Sequence, residues 1–197
     1  PQRDRMLWIE IGEENKIQSY LLTGFYSVLK QLDIMQGSEL NIEAAAFQDD
    51  NLFLFNRGKN AIFSIPFSGF ISAVKTGTPF PAVKASEFKL PKINGISAGF
   101  SGATITASGR LVVTSTVENT PNAYDDGEVL GSFIGISSGV KNGIFEPLYW
   151  TPLNSEVPLK VESVVVDREI SNNELELVMI TDSDGADSLI LRGNLTL

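Results

Sequence analysis

One strand pattern recurs along the chain at intervals of about sixty residues, and this repeat constrains the fold more than any other feature. The three copies begin at Glu43 (EAAAFQDDNLFLFNRGKNAIFSIPF), Gly102 (GATITASGRLVVTSTVENTPNAYDDGEVLGSFIGIS) and Glu162 (ESVVVDREISNNELELVMITDSDGADSLILRGNL). In each, a strand rich in small or β-branched residues comes first, at 44–47, 103–106 and 163–166. A polar turn leads to a second apolar strand at 52–55, 111–114 and 175–180. A polar loop of unequal length leads to a third strand at 61–65, 132–136 and 189–191. A fourth strand follows in two copies, near 88–90 and 144–150. Short apolar runs bounded by Gly, Asn and Asp are the sequence signature of strands.

Four antiparallel strands per unit, repeated at a fixed period, predict an all-β fold and a β-propeller. The rival is a β-sandwich, which has no reason to repeat at this interval. The units read as blades over residues 41–91, 100–151 and 160–197 of a single domain, residues 1–197. Residues 1–24 carry two more strands, 5–11 and 17–22, as part of a preceding blade. One short helix, residues 25–32, is predicted between blades from the spacing of its apolar residues. Residues 68–86 read as an extended loop. The expected fragment holds about three and a half blades. Propellers have four to eight, so the remaining blades are expected from the rest of a longer chain or from a partner.

Composition narrows the chemistry. The net charge is −9, which argues against nucleic acid or anionic membrane as a partner, because both are polyanions. No apolar run reaches the ~20 residues that a membrane-spanning helix needs. Cysteine is absent, which removes disulfides and thiolate catalysis and leaves the compartment open, an extracytoplasmic one included. Histidine is absent too, so a Ser-His-Asp triad cannot be built, and the commonest general base and zinc ligand are missing.

Residues 39–60 (ELNIEAAAFQDDNLFLFNRGKN) resemble an uncharacterised bacterial propeller family related to the esterase-like domain of phytase. Residues 100–136 (FSGATITASGRLVVTSTVENTPNAYDDGEVLGSFIGI) and the opening PQRDR share the likeness. The resemblance implies a propeller fold and, if the chain is an enzyme, hydrolysis of phosphate or carboxylic esters. Calcium-dependent propeller phytases surround a cleft with carboxylates and hold phosphate with Lys and Arg. Here the basic side chains beside the carboxylates are few, with Arg57 and Lys59 the one obvious pair.

Candidate site residues follow from position. Glu43 and Glu162 open inner strands, where a carboxylate can face a central channel and bind a cation or polar ligand, or else fix packing through backbone amides. The aligned residue of the middle copy is Gly102. Arg57 can hold a phosphate or carboxylate, or pair with Glu43 between blades. Asn60, Glu118 and Asn119 are grouped with it as ligand-binding candidates. The acidic loop from Glu118 onward adds Asp125, Asp126 and Glu128, clustered oxygens of the kind hard cations favour, within what are also ordinary turn residues. Glu43 and Asp126 are the candidate acid–base catalysts; Asp125, Asp126, Glu128 and Glu162 are candidate ligands for Ca2+. Asp182, Asp184 and Asp187 echo a calcium loop but lack its Gly and Glu positions and read as a turn. Two functions follow: a propeller that binds or hydrolyses a small anionic or ester ligand, or a non-catalytic scaffold or protein-binding propeller.

Overall fold

The structure, a computed structural model, describes residues 4–12, 16–120, 127–141, 144–146, 148–153, 156–182 and 187–197. The fold is all-β, with two α-helices among the described residues. β1 (Arg5–Glu10) and β2 (Lys16–Leu21) form a hairpin, followed by α1 (Thr23–Lys30). β3 (Ile42–Gln48), β4 (Asn51–Asn56), β5 (Ala61–Pro66) and β6 (Lys84–Glu87) form an antiparallel meander, with α2 (Phe67–Thr76) between its last two strands. A small hairpin, β7 (Lys92–Ile93) with β8 (Ile96–Ser97), leads to a second meander of β9 (Gly99–Ile105), β10 (Leu111–Asn119), β11 (Glu128–Ile136) and β14 (Tyr149–Leu153). A second small hairpin, β12 (Val140–Lys141) with β13 (Ile144–Phe145), interrupts it. β15 (Val161–Ser171), β16 (Glu174–Thr181) and β17 (Ile190–Thr196) make a three-stranded meander. None of these sheets closes on itself.

Turn chemistry sets the registers. Asp49 and Asp50 both have positive φ, 48° and 60°, and close the β3–β4 hairpin with Gln48 opposite Asn51. That two-residue left-handed geometry matches the twist of the strands it joins. Asn94 and Gly95, at 51° and 85°, repeat the solution between β7 and β8.

The sheets stack face to face. Phe53 and Phe55 of the first meander pack against Phe100, Val113 and Val117 of the second, with Phe55 and Phe100 edge to face at 5.5 Å between ring centres. On its other face the first meander buries Phe63 and Ile65 against Phe25 and Leu29 of α1 and Phe70 of α2. β5 is therefore covered on both sides, which explains its unbroken apolar run. The second meander covers the third through Val112, Ile134, Val161, Leu175 and Leu177. At the far end of β15, Glu169 accepts hydrogen bonds from the Ser108 amide and hydroxyl at 3.2 and 2.9 Å. Burial pushes the Glu169 carboxyl up, but these bonds, the Ala107 amide and Arg110 outweigh it and hold the group below its ordinary range.

Two expected elements lie elsewhere. The stretch 68–86, read as loop, begins with α2. Phe67, Phe70, Ile71 and Val74 have helical spacing, and Gly77 ends the helix at φ 72°. Gly69 and the Pro-rich run after Gly77 disguise the helix in sequence. Gly69 sits inside α2 because a β-carbon there would stand 2.6 Å from Pro81 Cγ. The fourth strand of the first meander is Lys84–Glu87 rather than 88–90, because Phe88 and Leu90 turn inward to join the core between the first two meanders. In the second meander the fourth strand is Tyr149–Leu153; Ile144 and Phe145 belong to the small hairpin.

Candidate functional site

The first strand of every meander carries a bulge near its start. Ile42 pairs with Asn56 and Ala44 with Phe55, which leaves Glu43 unpaired. Phe100 pairs with Ser115 and Gly102 with Thr114, leaving Ser101. Val161 pairs with Thr181 and Ser163 with Ile180, leaving Glu162. A bulge breaks the alternation of faces and re-aims the extra residue. The equivalent residues are therefore Glu43, Ser101 and Glu162, and the middle copy's member is Ser101 rather than Gly102. The Ser101 hydroxyl is buried and donates to Val161 O at 2.6 Å, tying the second meander to the third. Thr116 Oγ1 donates to the same carbonyl at 3.1 Å, and Ser132 Oγ donates to Leu159 O at 2.6 Å. The hydroxyls of the buried middle strands thus hold β15 where its bulge begins.

Around these bulged ends, charged side chains from all three meanders meet. Arg57 follows β4, and its amide donates to Asn41 O at 2.9 Å. Its side chain crosses Gly99, where a β-carbon would collide with Arg57 Cγ. Arg57 Nη2 then donates to Glu118 Oε2 on β10 at 2.9 Å. Lys160, just before β15, approaches the other oxygen of Glu118, Nζ to Oε1 at 3.2 Å. These three side chains are between 10 and 19% exposed, and one carboxylate binds one cation at each oxygen. Such ionised hydrogen bonds are strong, and breaking one in a half-buried setting strands a charge.

Glu162 has no such partner. Its Oε1 is buried without a hydrogen-bond partner among the described residues. Burial, opposed by Arg57, reinforced by Glu43, opposed by Lys160 and reinforced by Glu118, pushes its carboxyl up to about 7. Glu43 Oε1 accepts from the Asn41 side-chain amide at 2.7 Å. Glu43, Glu118 and Glu162 are three carboxylates beside the two cations Arg57 and Lys160, a charge of −1 when all are ionised. A proton on Glu162 removes that excess.

Of the sequence candidates, Glu43, Arg57, Glu118 and Glu162 therefore come together, and the ion pair of Arg57 runs to Glu118 rather than to Glu43. Asn60 is engaged with the backbone: its side chain donates to Ala98 O at 2.9 Å and accepts from Phe100 N at 3.3 Å, pinning the approach to β9. Asn119 is exposed at the end of β10, opposite exposed Glu128 on β11. Asp125, Asp126 and Asp184 lie outside the described residues. Asp182 continues from β16, its amide donating to Lys160 O at 2.9 Å. Lys59 turns to Glu87, 3.9 Å away.

Lys160 escaped the sequence reading. Its signal was its place two residues before a strand-opening Glu, where the first copy has Asn41 before Glu43. Among the described residues, no group of three or more carboxylates is set to hold a metal ion. Glu118 is already bracketed by cations, and the surroundings of Glu162 favour its neutral form. Glu118 and Glu162 as they stand form no closed cluster of oxygens of the kind Ca2+ takes. No helix among the described residues is long and apolar enough to cross a membrane.

No curated protein and no solved structure matches the chain. Residues 1–195 match the Family of unknown function (DUF6929), and the chain belongs to that family.

Proposed function

We propose that the three meanders are blades of a β-propeller and that the bulged ends of their inner strands bind a small polar ligand, esters included. The successive stacking of meanders, each in chain order, supports the propeller reading. The observation that carries the site is the unpartnered, buried Oε1 of Glu162 beside two cations and two further carboxylates. A carboxyl that titrates near neutrality is matched to proton transfer at working pH. The resemblance of residues 39–60 and 100–136 to a phytase-related, esterase-like domain supports ester hydrolysis as the reaction. In that reaction neutral Glu162 gives its proton to the leaving alcohol oxygen, and Glu43 takes one from the attacking water. The products are an acid and an alcohol; the proton on Glu43 returns to Glu162 through solvent. A neutral ester suits this site better than an anion, because Arg57 and Lys160 are both engaged with Glu118.

The test is a screen of carboxylic and phosphate esters with the wild type and with Glu162→Gln and Glu43→Gln. Ester turnover lost in both variants, with folding intact, supports hydrolysis. The scaffold reading is favoured by the same Arg57–Glu118–Lys160 bridge, which joins three sheets without any ligand. Absence of turnover across the screen, with the wild type and both variants folded, would select it.

A further inference from the structure

We infer that Asn94 is a site of spontaneous modification, where the side-chain amide is exchanged for a carboxyl through a cyclic imide, and that the folded turn promotes the reaction. Asn94 and Gly95 are exposed at the tip of the β7–β8 hairpin, between paired Ile93 and Ile96. Their φ angles, 51° and 85°, are those of a type I′ turn, ideally about 60° and 90°. Type II′ is the other two-residue hairpin turn, and turning the central peptide over converts one type into the other. That flip keeps φ of the first residue positive, takes its ψ to about −120°, and takes φ of the second residue to about −80°. Glycine accepts both signs of φ, so Gly95 permits the flip while the flanking strands stay paired. At that ψ the Gly95 nitrogen eclipses Asn94 Cβ, the arrangement that a five-membered ring through Cγ requires. An asparagine with negative φ meets this ψ outside the allowed regions of the backbone map. Asn94 already holds the sign of φ that the flipped turn uses.

The chemistry balances without an oxidant or reductant. The Gly95 nitrogen bonds to Asn94 Cγ and loses its proton. The bond from Cγ to the side-chain nitrogen breaks, and that nitrogen leaves with the proton as ammonia, giving a succinimide. Water then opens the ring at either carbonyl, to isoaspartate or aspartate. Nothing obstructs the attack: Gly95 has no side chain, and the Asn94 amide has no hydrogen bond among the described residues. Asn41 and Asn60 differ on both counts. They precede Ile42 and Ala61, and their amides are held by Glu43 and by the Ala98 carbonyl. Isoaspartate adds a methylene to the main chain of a two-residue turn, whose Ile93 and Ile96 pack against the core between the first two meanders.

The experiment incubates the folded protein, and the same protein in urea, side by side at pH 8, with peptides mapped by mass and by isoaspartate content. Asn94 is expected to lose its amide at least as fast in the folded protein as in urea. In the folded sample it should react about tenfold or more faster than Asn41 or Asn60, as positioning of the attacking atom requires. The second Asn-Gly pair, Asn142-Gly143, lies outside the described residues and serves as the internal reference for reaction in urea. Slower loss at Asn94 in the folded protein than in urea, or none, would mean that the turn shields the amide, and would overturn the inference. The isoaspartate product should also melt below Asn94→Asp, which carries the new charge without the methylene; equal melting would overturn the claimed disruption of the hairpin.

Discussion

Arg57 and Glu118 lie 61 positions apart in sequence and 2.9 Å apart in the fold, joined across a glycine. Gly99 carries no side chain because the Arg57 stem runs over its α-carbon on the way to Glu118. Gly99→Ala is therefore expected to destabilise the wild type but to cost much less once Arg57 is cut back to Ala. A double-mutant cycle by urea unfolding should give a coupling of about 1–2 kcal/mol between the positions. Strict additivity would mean that the crossing contributes nothing.

Glu118 separates two cations. Replacing it with Gln leaves Arg57 and Lys160 facing a neutral group, and the expected loss is about 3 kcal/mol, towards the lower end for a broken buried pair. Lys160→Met should cost less, because Arg57 still neutralises Glu118. Equal losses in the two variants, measured by denaturant midpoints, would show that Arg57 alone does not neutralise Glu118.

The pH dependence of Glu162 has a definite sign. Its carboxyl is raised from an ordinary 4.5 to about 7 by burial first, so the folded state holds the proton more tightly than the unfolded chain. The stability this contributes is present in full below pH 4.5 and is lost as pH rises through 7. Glu162→Gln keeps the neutral form at every pH. The variant should gain on the wild type between pH 5 and pH 8, by about 1–3 kcal/mol after allowing for partial solvent screening. A stability difference that stays flat over that range would contradict the raised carboxyl.

Asp50 caps a helix from a hairpin. Its carboxylate accepts from the Ser68 amide at 2.9 Å and the Ser68 hydroxyl at 2.7 Å, at the first turn of α2. Asp50→Ala should cost about 1 kcal/mol, as cap removals do. Because Asp50 also has a φ of 60°, Asp50→Asn keeps both the turn and an oxygen acceptor and should restore most of the loss in thermal melts.

Much of the fold was written locally. The alternation in residues 5–11 and 17–22, the two-residue Asp49-Asp50 turn and the apolar runs of β4, β5, β10 and β16 each specify a strand without reference to the rest of the chain. The helical spacing of Phe25 and Leu29 did the same for α1. Glycine and proline hid α2, since Gly69 reads as a break in sequence yet is required where Pro81 packs. The site was half legible. Glu43, Arg57 and Glu162 stood out as charges at repeated positions. Lys160 did not, and Asn60, which looked like a site residue, is engaged with the backbone of Ala98 and Phe100.

The sequence alone determined the strands, their repeat and the acidic excess, because period, turn residues and charge are properties of neighbours along the chain. Only the tertiary structure decided which charges meet. A bulge shifts one residue between faces, and no pattern of alternation announces where it falls; three bulges aligned Glu43, Ser101 and Glu162. Pairing Glu118 with both Arg57 and Lys160, and leaving Glu162 with neither, depends on how closely three sheets stack, which long-range packing sets.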